Sequence, residues 1–161
     1  MGCKISPEPD FLRAELFNRE TAGETRAFFG AVALENKVFQ RSRILLTFRT
    51  SLPFSPFEQY ELVELLIHLT SDKPSRRVAL VGDSDELYRS LEHVASLARQ
   101  RGHDIYRFKT EALALLWLVD RRNQDDRRTR EDQQRAENDR HDENRRRTER
   151  RRLILINPLM A

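Results

Sequence analysis

A chain of 161 residues has room for one domain and an appendage. Hydrophobic residues make up 39% and charged residues 34%, with a formal net charge of +3, and no apolar run approaches the ~18 residues that a membrane span needs. The single cysteine, Cys3, excludes an internal disulfide framework and suits a reducing compartment; with no secretory leader at the start, a cytoplasmic protein is the expectation.

The first segments read as strands. Residues 3–6 suit a short strand, Pro7, Pro9 and Asp10 a turn, and 11–17 (FLRAELF) a half-buried strand with Leu12, Ala14 and Leu16 on one face. The period then changes. Thr21 with Glu24, Ser55 with Glu58, and Asp83 with Glu86 each place an oxygen-bearing side chain three residues before a Glu, the pattern of a capping box. Helices follow at about 22–37 (Phe28, Phe29, Val32 and Ala33 inward), 56–69 (Tyr60, Val63, Leu66 and Ile67 inward) and 84–101 (Leu87, Leu91, Val94 and Ala98 inward), the last stopped by Gly102. A fourth begins at Thr110 and contains EALALLWL. Between them lie apolar runs of strand length, 43–48 (RILLTF), 77–81 (RVALV) and 104–108 (DIYRF). The order ββαβαβαβα predicts an α/β fold: a mixed, largely parallel sheet flanked by helices.

From residue 120 to 152 the composition shifts to 13 Arg and 10 Asp or Glu, so this stretch carries the whole net charge and the rest of the chain balances. Pairs such as Asp126–Arg130 and Glu143–Arg147 sit at i,i+4, yet no apolar stripe runs through the segment, so it reads as an isolated charged helix or as disordered. The expected division is an α/β domain over 1–119, a charged tail over 120–152, and a short apolar piece over 153–161 that contains LILIN.

The stretch RVALVGDSDELYRSLEHVASLARQRGHDIYRFKTEALALLWL resembles the last third of bacterial SpoIIAA-like, or STAS-like, domains, at Val78, Ala79, Val81, Phe108, Ala114, Trp117 and Leu118. The opening CKIS and FLRAELF and the middle ILLTFRTSLPFS fit the same family in order, so the resemblance covers about residues 3–118. It implies an α/β domain related to CRAL-TRIO lipid-binding domains. The role it implies is regulatory protein binding, without catalysis or cofactor; a small apolar ligand or lipid, or membrane association, is the alternative. In anti-sigma-factor antagonists of the family, a phosphorylatable Ser lies in the loop after the third strand. Here that loop is 49–55, lacks the acidic residue and glycine of the family pattern, and offers Thr50 and Ser51 as acceptors.

Asp83, Ser84 and Asp85 stand at the carboxyl end of a predicted parallel strand, where open α/β sheets place ligands; helix capping is the competing and favoured reading. His68, His93, His103 and His141 show no metal-ligand spacing, so no metal site is expected. The start MGCKIS fits an acylation pattern, which the first strand's own need for these residues disfavours. In the tail, Arg145, Arg146, Arg147, Arg150, Arg151 and Arg152 form the densest basic run, a candidate contact for an acidic protein partner. Interleaved carboxylates and the lack of aromatic residues disfavour nucleic acid.

Overall fold

The computed structural model of the protein describes residues 1–73 and 75–119. The tail, with Arg145 to Arg147, Arg150 to Arg152 and the LILIN segment, lies outside the described residues.

The expected element order holds: β1 (Gly2–Pro7), β2 (Leu12–Phe17), α1 (Ala22–Phe39), β3 (Arg43–Arg49), α2 (Pro56–Ser71), β4 (Arg77–Gly82), α3 (Asp85–Gln100), β5 (Asp104–Phe108) and α4 (Glu111–Val119). These five strands form one sheet in the order β1-β2-β3-β4-β5. β1 runs antiparallel to β2 on one edge, and β2 to β5 are mutually parallel. Cys3 is therefore on an edge strand, and it is exposed.

Each parallel crossover steps one strand in the same direction. Because such crossovers are right-handed, α1, α2 and α3 must all fall on one face. Register sets what they cover: Leu12, Ile44, Val78 and Ile105 lie side by side, as do Ala14, Leu46 and Leu80, then Leu16, Phe48 and Gly82. Against these rows pack Phe28, Phe29 and Val32 of α1, Leu62, Val63 and Leu66 of α2, and Leu87, Leu91 and Val94 of α3. Phe28, Phe48 and Phe54 meet edge to face, with ring centroids 6.1 and 5.4 Å apart.

After β5, the last strand among the described residues, α4 turns back over the second face. It buries Ala114 and Leu118 on Leu45, Ala79 and Val81. One short helix thus covers the middle of that face, while β2 shows it half-buried Arg13 and Glu15 instead of apolar side chains.

The caps are formed largely as read. Thr21 and Ser55 make complete capping boxes with Glu24 and Glu58, and Pro56 opens α2. At α3 the reading slips by one residue: the N-cap is Ser84, whose hydroxyl accepts from the Leu87 amide, because the Asp83 carboxylate accepts instead from the Thr50 amide at 2.6 Å. Gly102 has φ +85°, the left-handed stop that was expected. Tyr60 is not part of the α2 stripe: it is 57% exposed, because the inward line of α2 runs through Leu62, Val63, Leu66 and Leu69. Its ring lies edge-on to His93 instead.

Candidate functional site

The carboxyl ends of β3, β4 and β5 meet the start of α4 at one edge of the sheet, and the loop after β3 closes the top. That loop is held by Arg19. Although it is charged, its side chain is only 1% exposed. The guanidinium donates to Thr25 Oγ1 at 2.8 Å, to the Leu52 carbonyl at 2.9 Å and to Glu58, and it stacks 4.2 Å above the Phe54 ring. With three donors used and a carboxylate opposite, the burial cost of the charge is offset. Burial raises the Glu58 pKa, but hydrogen bonds from Ser55 and the nearby Arg19 charge outweigh it, leaving this carboxyl below the ordinary Glu value.

Arg19 and Asp83 between them decide how the two candidate acceptors are presented. Ser51 is half-buried; its hydroxyl donates to the Arg49 carbonyl at 3.0 Å and accepts from the Arg19 amide. Thr50 is exposed, with its amide donated to Asp83 and φ at +47°. A β-branched residue in the left-handed region is strained, at a cost of about 1–3 kcal/mol. The pair is thus unequal, Thr50 open and Ser51 tied down.

Asp83 and Asp85 have different partners. Asp83 fastens the β3–α2 loop to the β4–α3 loop, whereas Asp85 lies in the first turn of α3 beside Glu86, where a carboxylate favours the helix dipole. Among the described residues no group of three or more His, Cys, Asp or Glu side chains is placed to hold a metal ion. His68 and His93 are exposed, and His103 Nδ1 lies 2.7 Å from Thr70 Oγ1. His141 lies outside the described residues.

What the structure gathers here, and sequence reading passed over, is a charge cluster on the α4 side of the sheet. Arg49 Nη2 donates to Glu15 at 3.2 Å and to Glu111 at 3.3 Å, and Arg13 pairs with Glu111 and Glu8. Strand alternation carried the signal, since Arg13 and Glu15 on β2 and Thr47 and Arg49 on β3 fall on one face by period. Beside the cluster opens a cleft of about 180 Å³, lined by Thr47, Arg49, Val81, Gly82, Asp83, Lys109, Thr110 and Glu111. Thr47 is 3% exposed, and among the described residues its Oγ1 has no hydrogen-bond partner. An unpaired buried hydroxyl costs about 1–3 kcal/mol, which a valine of the same shape would not incur.

A second cleft, of about 240 Å³, lies at the opposite edge between the last turns of α1 and α2, with Asn36, His68, Asp72 and Arg76 among its lining. Arg76 closes it structurally, donating to the Leu69 carbonyl and to Asp72, so it acts as a C-terminal clasp on α2. The hydrogen bond from Arg76 is also the main reason that the Asp72 carboxyl lies below its ordinary pKa.

Beyond these clefts, the outer side of α4 is apolar. Leu113, Leu116 and Val119 are 50%, 70% and 45% exposed. Trp117, half-buried, touches the rings of Tyr106 and Phe108 at 5.1 and 5.4 Å. Two arginines stack on these rings: Arg77, buried and ion-paired with Asp104, lies 4.0 Å over Trp117, and half-buried Arg99 lies 4.6 Å over Tyr106. Arg43 stands directly opposite Arg77 on the neighbouring strand.

Set against known proteins, the chain matches no family model, no curated protein and no solved structure. Among the described residues, no helix is long and apolar enough to cross a membrane.

Proposed function

We propose that this chain is a regulatory, non-catalytic domain that binds another protein through the α4–β5 surface, and that the partner presents an apolar segment. The observation that carries this reading is the outer side of α4: Leu113 and Leu116 exposed on the helix that carries Trp117, whose ring meets Tyr106, with Arg99 stacked on Tyr106. Aromatic, aliphatic and Arg side chains in one patch are the composition of interface centres. The resemblance of residues 3–118 to SpoIIAA-like domains supports the same role. A reducing, cytoplasmic setting suits the exposed Cys3 thiol.

The experiment is proximity crosslinking with the full chain, followed by reconstitution with the purified partner. The double change Leu113→Asp and Leu116→Asp, on side chains that are already solvent-facing, is expected to weaken the complex about tenfold or more without lowering Tm. Equal binding by the double variant would overturn the reading. So would flotation of the full chain with vesicles of acidic phospholipid, lost in the same variant, because the surface would then be a membrane contact.

A further inference from the structure

The sheet has two edges, and they differ. On β5 the Arg99 guanidinium already takes the Ile105 carbonyl at 3.2 Å. β1 is the other edge, and among the described residues it pairs with β2 alone. Register tells which of its backbone groups face outward. Glu8 and Phe11 continue the β1–β2 pairing, and the Glu8 amide donates to the Phe11 carbonyl at 2.9 Å. Hydrogen-bonded pairs alternate along an antiparallel ladder, so Ser6, Lys4 and Gly2 turn their amides and carbonyls toward β2. Cys3 and Ile5 turn theirs to the open side, and Pro7 presents a carbonyl there without an amide.

The helix above this edge is apolar on the same side. α1 packs on β1 and β2. Its buried residues, Thr25, Phe28, Phe29, Val32 and Asn36, mark the side that meets the sheet. Arg26, paired with Glu61, and Ala33, in the cleft with His68 and Leu69, mark the side that meets α2. At about 100° per residue, Ala27, Ala31 and Val38 then fall on the flank above β1, with Leu34 next to them. Leu34 and Val38 are 65% and 74% exposed. Glu24, on the same flank, is folded back onto the Glu20 and Thr21 amides.

We infer that β1 and α1 together form the contact between two copies of this chain, related by a two-fold axis perpendicular to the sheet. An antiparallel strand edge is complementary to itself, as an isologous interface requires. Side chains must keep to their own faces, which limits the register. Lys4, opposite Glu15, points to the second face, and a register that set Lys4 against Lys4 would oppose like charges. With the axis at Ile5, the two Ile5 residues exchange hydrogen bonds, the Cys3 amide reaches the Pro7 carbonyl of the second copy, and Lys4 stands opposite its Ser6. Strands lie about 4.8 Å apart, so an α1 seated over β1 and β2 is about 5 Å from the axis. The two α1 helices then run side by side at about 10 Å, the distance at which helices pack. Strand and helix together offer a wall about 25 Å long and about 15 Å deep, a contact at the lower end of stable interfaces. An extended peptide would fill the edge and leave the α1 flank bare; a second copy covers both. This contact is separate from the α4–β5 surface.

The test is sedimentation velocity of the full chain from about 5 to 500 µM, with amide hydrogen exchange at both ends of that range. The expected result is a reversible monomer–dimer equilibrium with Kd of about 10–100 µM. At the high concentration the Ile5 amide should exchange at least fivefold more slowly, while the Lys4 and Ser6 amides, bonded to β2, barely change. Ala27→Glu with Val38→Glu, at exposed positions, adds like charge to both flanks and is expected to weaken the dimer at least tenfold with Tm kept. Cys3→Pro, which removes an outward amide and none bonded to β2, should weaken it as well. Leu113→Asp with Leu116→Asp should leave it intact. A chain that stays monomeric at 500 µM would overturn the inference, as would a dimer that survives both the α1 and the Cys3 changes. So would an Ile5 amide equally slow at both concentrations, which would mean that the edge is covered within one chain, or a dimer lost on the α4 changes.

Discussion

Thr50, in the loop after β3, and Arg19, which holds that loop from the β2–α1 connection, oppose each other energetically. Thr50 holds φ +47° without a glycine's freedom, and the Asp83 carboxylate on its amide keeps it there. Asn18 and Gln40 share the left-handed region at φ +52°, but neither is β-branched. Replacing Thr50 by Asn, which tolerates that region, is expected to stabilise the fold by about 0.5–1 kcal/mol in urea unfolding; destabilisation would mean that the Thr50 side chain has a compensating role. Arg19 works the other way. Arg19→Met removes the charge from a buried site but strands the Leu52 carbonyl and Glu58, and is expected to cost about 3 kcal/mol. The same pair makes a pH signature. The Glu58 carboxyl has its folded pKa below the reference value of 4.5, so its contribution to stability is complete above that value and is lost as pH falls through the lower folded value. Unfolding free energy measured from neutral pH into that acid range should fall less steeply for Glu58→Gln than for the parent chain. Identical slopes would place the acid loss elsewhere.

Helices were legible because their starts are written locally. Thr21–Glu24 and Ser55–Glu58 form the boxes their spacing announces. The α3 cap moved to Ser84 only because a distant amide, that of Thr50, claims Asp83. Periodicity located α3's buried line through Leu87, Leu91, Val94 and Ala98, yet put Tyr60 inside α2 because it weighs spacing without knowing which flank meets the sheet. How closely α3 approaches the sheet was not readable at all. A Cβ at Gly82, the last residue of β4, would lie 2.9 Å from Leu87 Cβ and 3.2 Å from Leu91 Cδ1. Leu87 Cβ is fixed to its helix, so relief needs a shift of α3 itself. Gly82→Ala is therefore expected to cost about 1–3 kcal/mol by overpacking. Chemical denaturation gives the number, and a neutral result would mean that α3 slides freely on β4.

At the scale of the whole molecule, the buried side chains of both cores among the described residues fall between Leu12 and Leu118. Truncation after Val119 is thus expected to leave a protein with one cooperative thermal transition. A lost or broadened transition would assign a packing role to the segment after residue 119. The two sheet faces divide the work. Three helices seal one face with a continuous apolar core, and this face supplies stiffness. Among the described residues, the other carries α4, a charge cluster at its upper end and an apolar surface on that helix. The proposed docking surface falls on that second face. There register places polar side chains such as Thr47 and Arg49 beside the cover of α4.

The sequence by itself determined the element order, the two capping boxes and the inward faces of β2 and α3. Each depends on contacts a few residues apart or on a period of 2 or 3.6. The acceptor loop was also visible as a segment, but not the inequality of Thr50 and Ser51, which comes from Asp83 on Thr50, 33 residues away, and from Arg19 on Ser51, 32 residues away. Only the tertiary structure decided that Glu111 reaches Arg13 across 98 residues, that Asp83 ties two loops, and that Thr47 is buried at a cleft. The reason is physical. A charged or polar residue has no period of its own to announce a partner, and its environment exists only once parallel strands and the returning α4 have been brought into register.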